Sequence, residues 1–246
     1  MRYFIWFSYD GTQYHGWQIQ PNGVTVQSEL QRCLSLLLRE EVAVTGAGRT
    51  DTGVHARRMA AHFDTEAAFD PQLLTHKLNG LLHQDIGVHQ IEPVSPDLHA
   101  RFSAVARTYR YYVHTRKDPF LYPLSWKCPP DLDFDLMNQA AAHLMDYIDF
   151  TSFSKLHTDV KTNNCRITHA QWAREGEQWV FTITADRFLR NMVRAIVGTL
   201  IEVGRHKITV DDFCNIIERK DRCAAGTSMP GHALFLWDIT YPYPIQ

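Results

Sequence analysis

Two hydrophobic rhythms alternate along this chain, and their order constrains its fold more than any other feature. A strand-like pattern, rich in aromatic and β-branched residues, marks Arg2–Tyr9, 42–45, 58–63 and Ile86–Ile91. A helical spacing follows Thr25, where Val26, Leu30, Cys33, Leu34, Leu37 and Leu38 share a face. Asp70-Pro71 then opens a second helix, running to about Leu82, with the cap at Asp70 and proline at the first helical position. The first part of the chain therefore reads β-α-β-β-α-β, the split βαβ or ferredoxin-like order.

The second part repeats that order. Val105–His114 is a strand, and 133–146 is a helix with Leu136, Ala140 and Leu144 on one stripe. Arg166–Arg174 and Gln178–Ala185 form a hairpin around Glu175-Gly176-Glu177. Phe188–Val203 is a helix, Thr209 with Asp212 opens a shorter one as a capping box, and Ala233–Thr240 is the closing strand. No repeat is visible at the level of individual residues. The expected fold class is α+β: two ferredoxin-like, RRM-like halves, each an antiparallel sheet with helices on one face. The expected domains are 1–100 and 101–246, with the boundary near Ser95–Ser103.

A chain of 246 residues, 45% hydrophobic and 21% charged, has the composition of an ordinary soluble protein with a sizeable core. Its formal net charge of −2 gives no bulk attraction for nucleic acid, so any such partner requires basic residues segregated on one face. The five cysteines are scattered and contain no C-x-x-C pair, which argues against a disulfide framework or a zinc site. Thirteen histidines are spread along the chain without an H-E-x-x-H motif, and His55, His62 and His76 read as ordinary groups. No metal is expected. Met1-Arg2-Tyr3-Phe4 runs directly into a strand without a signal-peptide layout, and the apolar runs are too short to span a bilayer. The expected location is the cytoplasm, with no membrane partner.

Three stretches carry chemistry. Gly46-Ala47-Gly48-Arg49-Thr50-Asp51-Thr52-Gly53-Val54-His55-Ala56 is longer than a loop that merely joins two strands, and it presents one carboxylate beside an arginine on glycine hinges. It reads either as a long hairpin with an Asx-type turn at Asp51 or as a displayed functional carboxylate. Strand Val105–His114 puts Arg107, Tyr109 and Tyr111 on one face and Thr108, Arg110 and Tyr112 on the other. Rings interleaved with guanidiniums suit an RNA surface, and a half-solvated strand produces the same pattern. Arg187, Arg190 and Arg194 fall on one helical face if the helix starts at Phe188, opposite a packed side of Val193, Ile196, Val197 and Leu200.

Together these stretches resemble the tRNA pseudouridine synthase A (TruA) family. The matching pieces are Tyr9-Asp10-Gly11-Thr12-x-Tyr14-x-Gly16-Trp17-Gln18 and Gly48-Arg49-Thr50-Asp51-x-Gly53-Val54-His55-Ala56. They continue with Arg107-x-Tyr109-x-Tyr111, Asp149-Phe150-Thr151-Ser152-Phe153 and Phe188-Leu189-x-x-Met192-Val193-Arg194-x-Ile196-Val197-Gly198. The resemblance runs nearly end to end and in order. The chain departs at Met229-Pro230-Gly231-His232, where the family often has a Pro-Pro pair, and at Arg190, where relatives often carry His or Tyr.

The resemblance implies isomerisation of uridine to pseudouridine at positions 38 to 40 of tRNA, in the anticodon stem-loop. It also implies base flipping, a homodimer, no metal and no organic cofactor. It makes Asp51 the catalytic aspartate, Tyr109 the active-site tyrosine and Arg194 the arginine that pairs with the aspartate, in a cleft between the halves. Arg49 helps to extrude the nucleotide. Tyr14, Trp17, Gln18, His55, Arg57, Arg58, Arg107, Tyr111, Arg187 and Arg190 are the further candidate tRNA contacts. Two rival classes remain beside it. A non-catalytic protein of two RRM-like modules would need an RNP1-type aromatic string, which is missing. A glycosidase would need a second carboxylate, and Asp64 and Glu66 read as solvated turn residues.

Overall fold

The computed structural model describes residues 1–155 and 162–242, a mixed α and β chain with nine strands and five α-helices among those residues. It divides into two compact units, Met1–Ala106 with Phe235–Gln246, and Arg107–Leu234.

The first unit contains β1 (Arg2–Tyr9), α1 (Val26–Leu38), β2 (Val44–Gly46), β3 (His55–Asp64), α2 (Pro71–Leu81) and β4 (Ile86–Pro93), in the expected order. Strand β1 lies between β3 and β4, antiparallel to both. It is buried on both faces: Ile5 and Phe7 on one, Phe4 and Trp6 on the other. Tyr241 covers the second face, edge-on to Phe4 and Trp6, and its hydroxyl donates to the Ala100 carbonyl at 2.6 Å. Fully burying side chains of this size contributes about 1.5–3 kcal/mol each. The Thr25 side chain caps α1 in a reciprocal box with Ser28, and Asp70 caps α2 with Pro71 behind it, so both predicted starts hold.

The outer edge of β3 is shared. Antiparallel β2 pairs with its far end through Val44 and Phe63. Strand β9 (Leu234–Thr240) pairs in parallel with its near end, His55 with Phe235 and Ala56 with Leu236. The sequence reading keeps this closing strand with the second half and divides the chain near residue 100. The compact units instead divide after Ala106, and Phe235 onward returns to the first. Parallel pairing between strands so far apart in the chain leaves no local signal.

The second unit follows β5 (Ala106–His114), β6 (Trp126–Lys127), α3 (Phe134–Ala142), β7 (Ile167–Glu175), β8 (Gln178–Ala185), α4 (Met192–Gly204) and α5 (Val210–Glu218). Strand β8 lies between β5 and β7, antiparallel to both, and β6 adds a short parallel pairing to β5. Helix α4 is buried almost all round, with Arg194 and Glu202 among the few side chains that reach toward solvent. Helix α3 is shorter than expected, nine residues followed by a 3₁₀ turn at His143–Asp146, and it buries Met137 and Ala141 rather than Leu136.

Helix α4 also starts four residues later than the sequence suggests. Asn191 takes a left-handed backbone, φ 66°, at its N-cap. Asparagine tolerates that conformation better than most residues, and it breaks the helix there. Arg187 and Arg190 therefore precede the helix, and the single helical face of Arg187, Arg190 and Arg194 does not form.

Candidate active site

In the first unit, the segment after β1 braces the Asp51 loop from several directions. The Tyr9 hydroxyl and Thr50 Oγ1 share a hydrogen bond of 2.8 Å. The Trp17 N–H donates to the Thr50 carbonyl at 3.2 Å, and the Gly53 N–H to the Tyr14 carbonyl at 3.4 Å. Within the loop, the Val54 N–H donates to the Asp51 carbonyl at 3.1 Å, closing a turn around the aspartate. Gly16, at φ +85°, lies so close that a Cβ there would collide with the Thr50 carbonyl oxygen. Asp51 is half-buried on this loop and Arg49 is exposed beside it.

His55 is the first residue of β3 and is 1% exposed. Its Nδ1 stands 3.0 Å from both the Gly11 N–H and an Asp10 carboxylate oxygen, and its ring stacks on Phe235 at 4.5 Å. Tyr14 and Trp17 are 5% and 3% exposed. The Tyr14 hydroxyl donates to Asp85 at 2.6 Å, and burial with that neighbouring carboxylate raises its pKa. Trp17 packs on Phe7 with ring centres 5.5 Å apart. The expectation that Tyr14, Trp17 and His55 touch RNA is corrected by this placement. These side chains are packed inside the first unit, leaving almost no exposed surface, while the backbones of Tyr14 and Trp17 hold the Asp51 loop. Gln18 and Arg57 are exposed. Arg58 lies 4.4 Å over the Trp6 ring and pairs with Asp238 at 3.1 Å.

In the second unit, Tyr109 is half-buried on β5 and meets Phe188 edge-on at 5.1 Å. Tyr111, two residues on, is fully buried, and its hydroxyl donates to the Pro230 carbonyl at 3.1 Å. Burial raises its pKa, so it stays a neutral donor, and it too is a support rather than an RNA contact. Arg107 donates to the Asp186 carbonyl at 2.7 Å. Arg194 sits in the first turn of α4, where its Nε donates to the Met229 carbonyl at 2.6 Å and its own carbonyl accepts from the Met229 N–H at 3.1 Å. Arg187 is half-buried and Arg190 exposed, both in the segment leading into α4.

Asn191 and Arg222 both donate to Ser228 Oγ, next in the chain to the Met229 that holds Arg194, and the sequence reading gives none of the three a functional role. Arg222 donates to the Ala225 and Gly226 carbonyls and to Ser228 Oγ, contacts that no pattern of residue types announces. Among the described residues, no group of three or more His, Cys, Asp or Glu side chains is arranged to hold a metal ion, and no helix is long and apolar enough to cross a membrane.

A glycine-hinged carboxylate in one unit, and a half-buried tyrosine with a backbone-anchored arginine in the other, sit on sequence that known proteins share. The chain belongs to the tRNA pseudouridine synthase family, whose sequence profile matches residues 5–103 and 140–242. Within that family it falls in the tRNA pseudouridine synthase A branch. It is 62% identical to tRNA pseudouridine synthase A of Parabacteroides distasonis over 249 aligned positions, spanning 100% of this chain and 99% of the relative. The Bacteroides thetaiotaomicron protein of that name is 61% identical, across 99% of this chain and 92% of its own length. That of Bacillus subtilis is 40% identical, across 98% and 99% respectively.

Proposed function

We infer that this chain converts uridine to pseudouridine in tRNA, at positions 38 to 40 of the anticodon stem-loop. Identity to tRNA pseudouridine synthase A proteins along the whole chain carries this reading. The reaction breaks the N1–C1′ bond, turns the base, joins C5 to C1′, and transfers a proton from C5 to solvent while N1 gains one. Product and substrate have the same atoms, so the chemistry is complete without a redox or energy cofactor. The base must leave its stack to be reached, which favours a pocket with a ring to receive it and arginines on the backbone.

Asp51, Tyr109 and Arg194 are the catalytic residues in this reading. The Asp51 carboxylate starts cleavage of the glycosidic bond, and two roles at the sugar are open to it: nucleophile on the nucleoside or base on the ribose. Tyr109 offers its ring to the flipped base, and the Arg194 guanidinium steadies negative charge during the reaction. Arg49 enters the helix as the base leaves it, with Arg57, Arg58, Arg107, Arg187, Arg190 and Gln18 toward the phosphates. The strand order β4-β1-β3-β2, every neighbour antiparallel, supports a ferredoxin-like first half. A homodimer in the cytoplasm is the assembly that accompanies this reading.

The test is Asp51→Asn, assayed by chemical derivatisation of pseudouridine in tRNA. Pseudouridine formation is expected to vanish while tRNA affinity stays within a few-fold. Loss of folding and binding together would make Asp51 a turn residue and defeat the assignment.

A further inference from the structure

Arg194 is held by a strap of chain, Ala225–Pro230, that crosses the first turns of α4. The Arg194 backbone and side chain both bond Met229, as described above. The next residue, Pro230, accepts from the buried Tyr111 hydroxyl at 3.1 Å. The strap lies directly on the helix. The Gly226 N–H donates to Thr199 Oγ1 at 2.9 Å, and a Cβ at Gly198 would collide with the Thr227 carbonyl oxygen.

The other end of the strap is tied by Arg222. Its Nη1 donates to the Gly226 carbonyl at 3.2 Å and more weakly to that of Ala225 at 3.4 Å; its Nη2 donates to Ser228 Oγ at 2.9 Å. Asn191, the left-handed cap of α4, donates to the same Ser228 oxygen. One guanidinium therefore bonds three residues of the strap, and Ser228 joins it to the residue that sets where α4 begins.

Arg222 is itself anchored. The Asp221 N–H donates to Ser152 Oγ at 2.9 Å, and that buried hydroxyl donates to the Ile216 carbonyl at 2.6 Å. Lys220 pairs with Asp149 at 3.0 Å. The Asp149–Phe153 motif, to which no catalytic task falls, thus fixes the backbone from which Arg222 reaches the strap.

We propose that Arg222 is a positioning residue for the isomerisation, acting through the Ala225–Pro230 strap to set the direction of the Arg194 guanidinium. This rests on the reading of Arg194 as catalytic. An arginine side chain has four rotatable bonds, and holding both its Nε and its backbone to one residue leaves the guanidinium little freedom to swing. Displacing a catalytic group by about 1 Å can cost roughly a hundredfold in rate.

The experiment measures turnover at saturating tRNA, and tRNA affinity by filter binding, for Arg222→Ala, Ser228→Ala, Arg194→Lys and the double variant Arg222→Ala/Arg194→Lys. Arg222→Ala is expected to lower kcat roughly ten- to a hundredfold with tRNA Kd within twofold. Ser228→Ala, which removes one arm, is expected to show a smaller loss of the same kind. The double variant is expected to be no slower than the slower single variant, because each change spoils the same alignment. Multiplicative losses in the double variant overturn the proposal while leaving Arg194 catalytic, and so does wild-type kcat in Arg222→Ala. Wild-type kcat in Arg194→Lys defeats the catalytic reading itself. If Arg222→Ala does not fold, by circular dichroism and thermal melting, Ser228→Ala decides: a kcat loss at unchanged Kd supports the strap, and wild-type kcat overturns it.

Discussion

Tyr109 and His62 show how one side chain can be read from its neighbours. Tyr109 meets Phe188 edge-on, a contact that a phenylalanine would keep and a leucine would lose. If Tyr109 receives a flipped base by stacking, Tyr109→Leu lowers turnover roughly ten- to a hundredfold, the scale of one base–aromatic stack, and Tyr109→Phe loses far less. A Phe variant that instead stalls with the glycosidic bond already broken, seen as free base retained in the complex, would assign the hydroxyl a proton-transfer step. His62 is buried on β3, and its Nδ1 accepts from the Ala100 N–H at 3.1 Å. Burial, with Arg2 and His99 nearby, lowers its pKa to about 4. The unfolded chain binds a proton near pH 6.5 that the folded chain refuses. This contribution to stability is therefore complete above that pH and is lost as pH falls toward 4. The loss is on the order of 2–3 kcal/mol. Urea melts between pH 7 and pH 4 should show that slope, and His62→Gln should reduce it, leaving the part that the lowered pKa values of His89, His99 and His114 contribute. An equal slope in the variant would place the pH dependence elsewhere.

At the scale of elements, local chemistry was legible and long-range placement was not. Thr25 and Asp70 announced α1 and α2, because a cap is written in the few residues around it. The Asp51 loop was visible as a glycine-hinged stretch between strands. What holds it was not, because its braces come from Tyr9, Tyr14, Gly16 and Trp17, about 35 residues earlier. The same limit explains why Tyr14 and Trp17 read as RNA contacts: an aromatic in a glycine-rich segment looks displayed until its packing partner is known. The start of α4 failed for a different reason. The apolar spacing continues back through Phe188 and Leu189, and only the backbone of Asn191 interrupts it. The bracing of the loop can be tested at Gly16. Gly16→Ala forces a side chain into a left-handed backbone and against Thr50. A glycine-to-alanine change at a compatible site stabilises by roughly 0.4–1 kcal/mol; this one should instead destabilise by more than about 1 kcal/mol and lower turnover along with stability. A variant with wild-type melting and wild-type turnover would show that the two segments separate without consequence.

At the scale of the whole molecule, a net charge of −2 makes attraction to a polyanion depend on where the arginines stand. The affinity for tRNA should fall steeply as salt rises, with log Kd linear in log salt, because each phosphate contact releases condensed counterions. Replacing exposed Arg57 or Arg190 should reduce that slope by about one contact each; a flat dependence would speak for a small-molecule substrate. The return of the chain to its first unit carries a consequence for how the protein is made. Strand β9 and Tyr241 follow the whole second unit along the chain, yet they fill the edge of β3 beside the Asp51 loop, stack Phe235 on His55 and cover Phe4 and Trp6. The first unit is therefore completed only after every residue of the second unit has been made. A nascent or truncated chain ending before Phe235 can hold Arg194 in its strap, but its carboxylate loop rests on an incomplete sheet. A chain truncated before Phe235 is therefore expected to form no pseudouridine, which an assay of that truncation on tRNA checks.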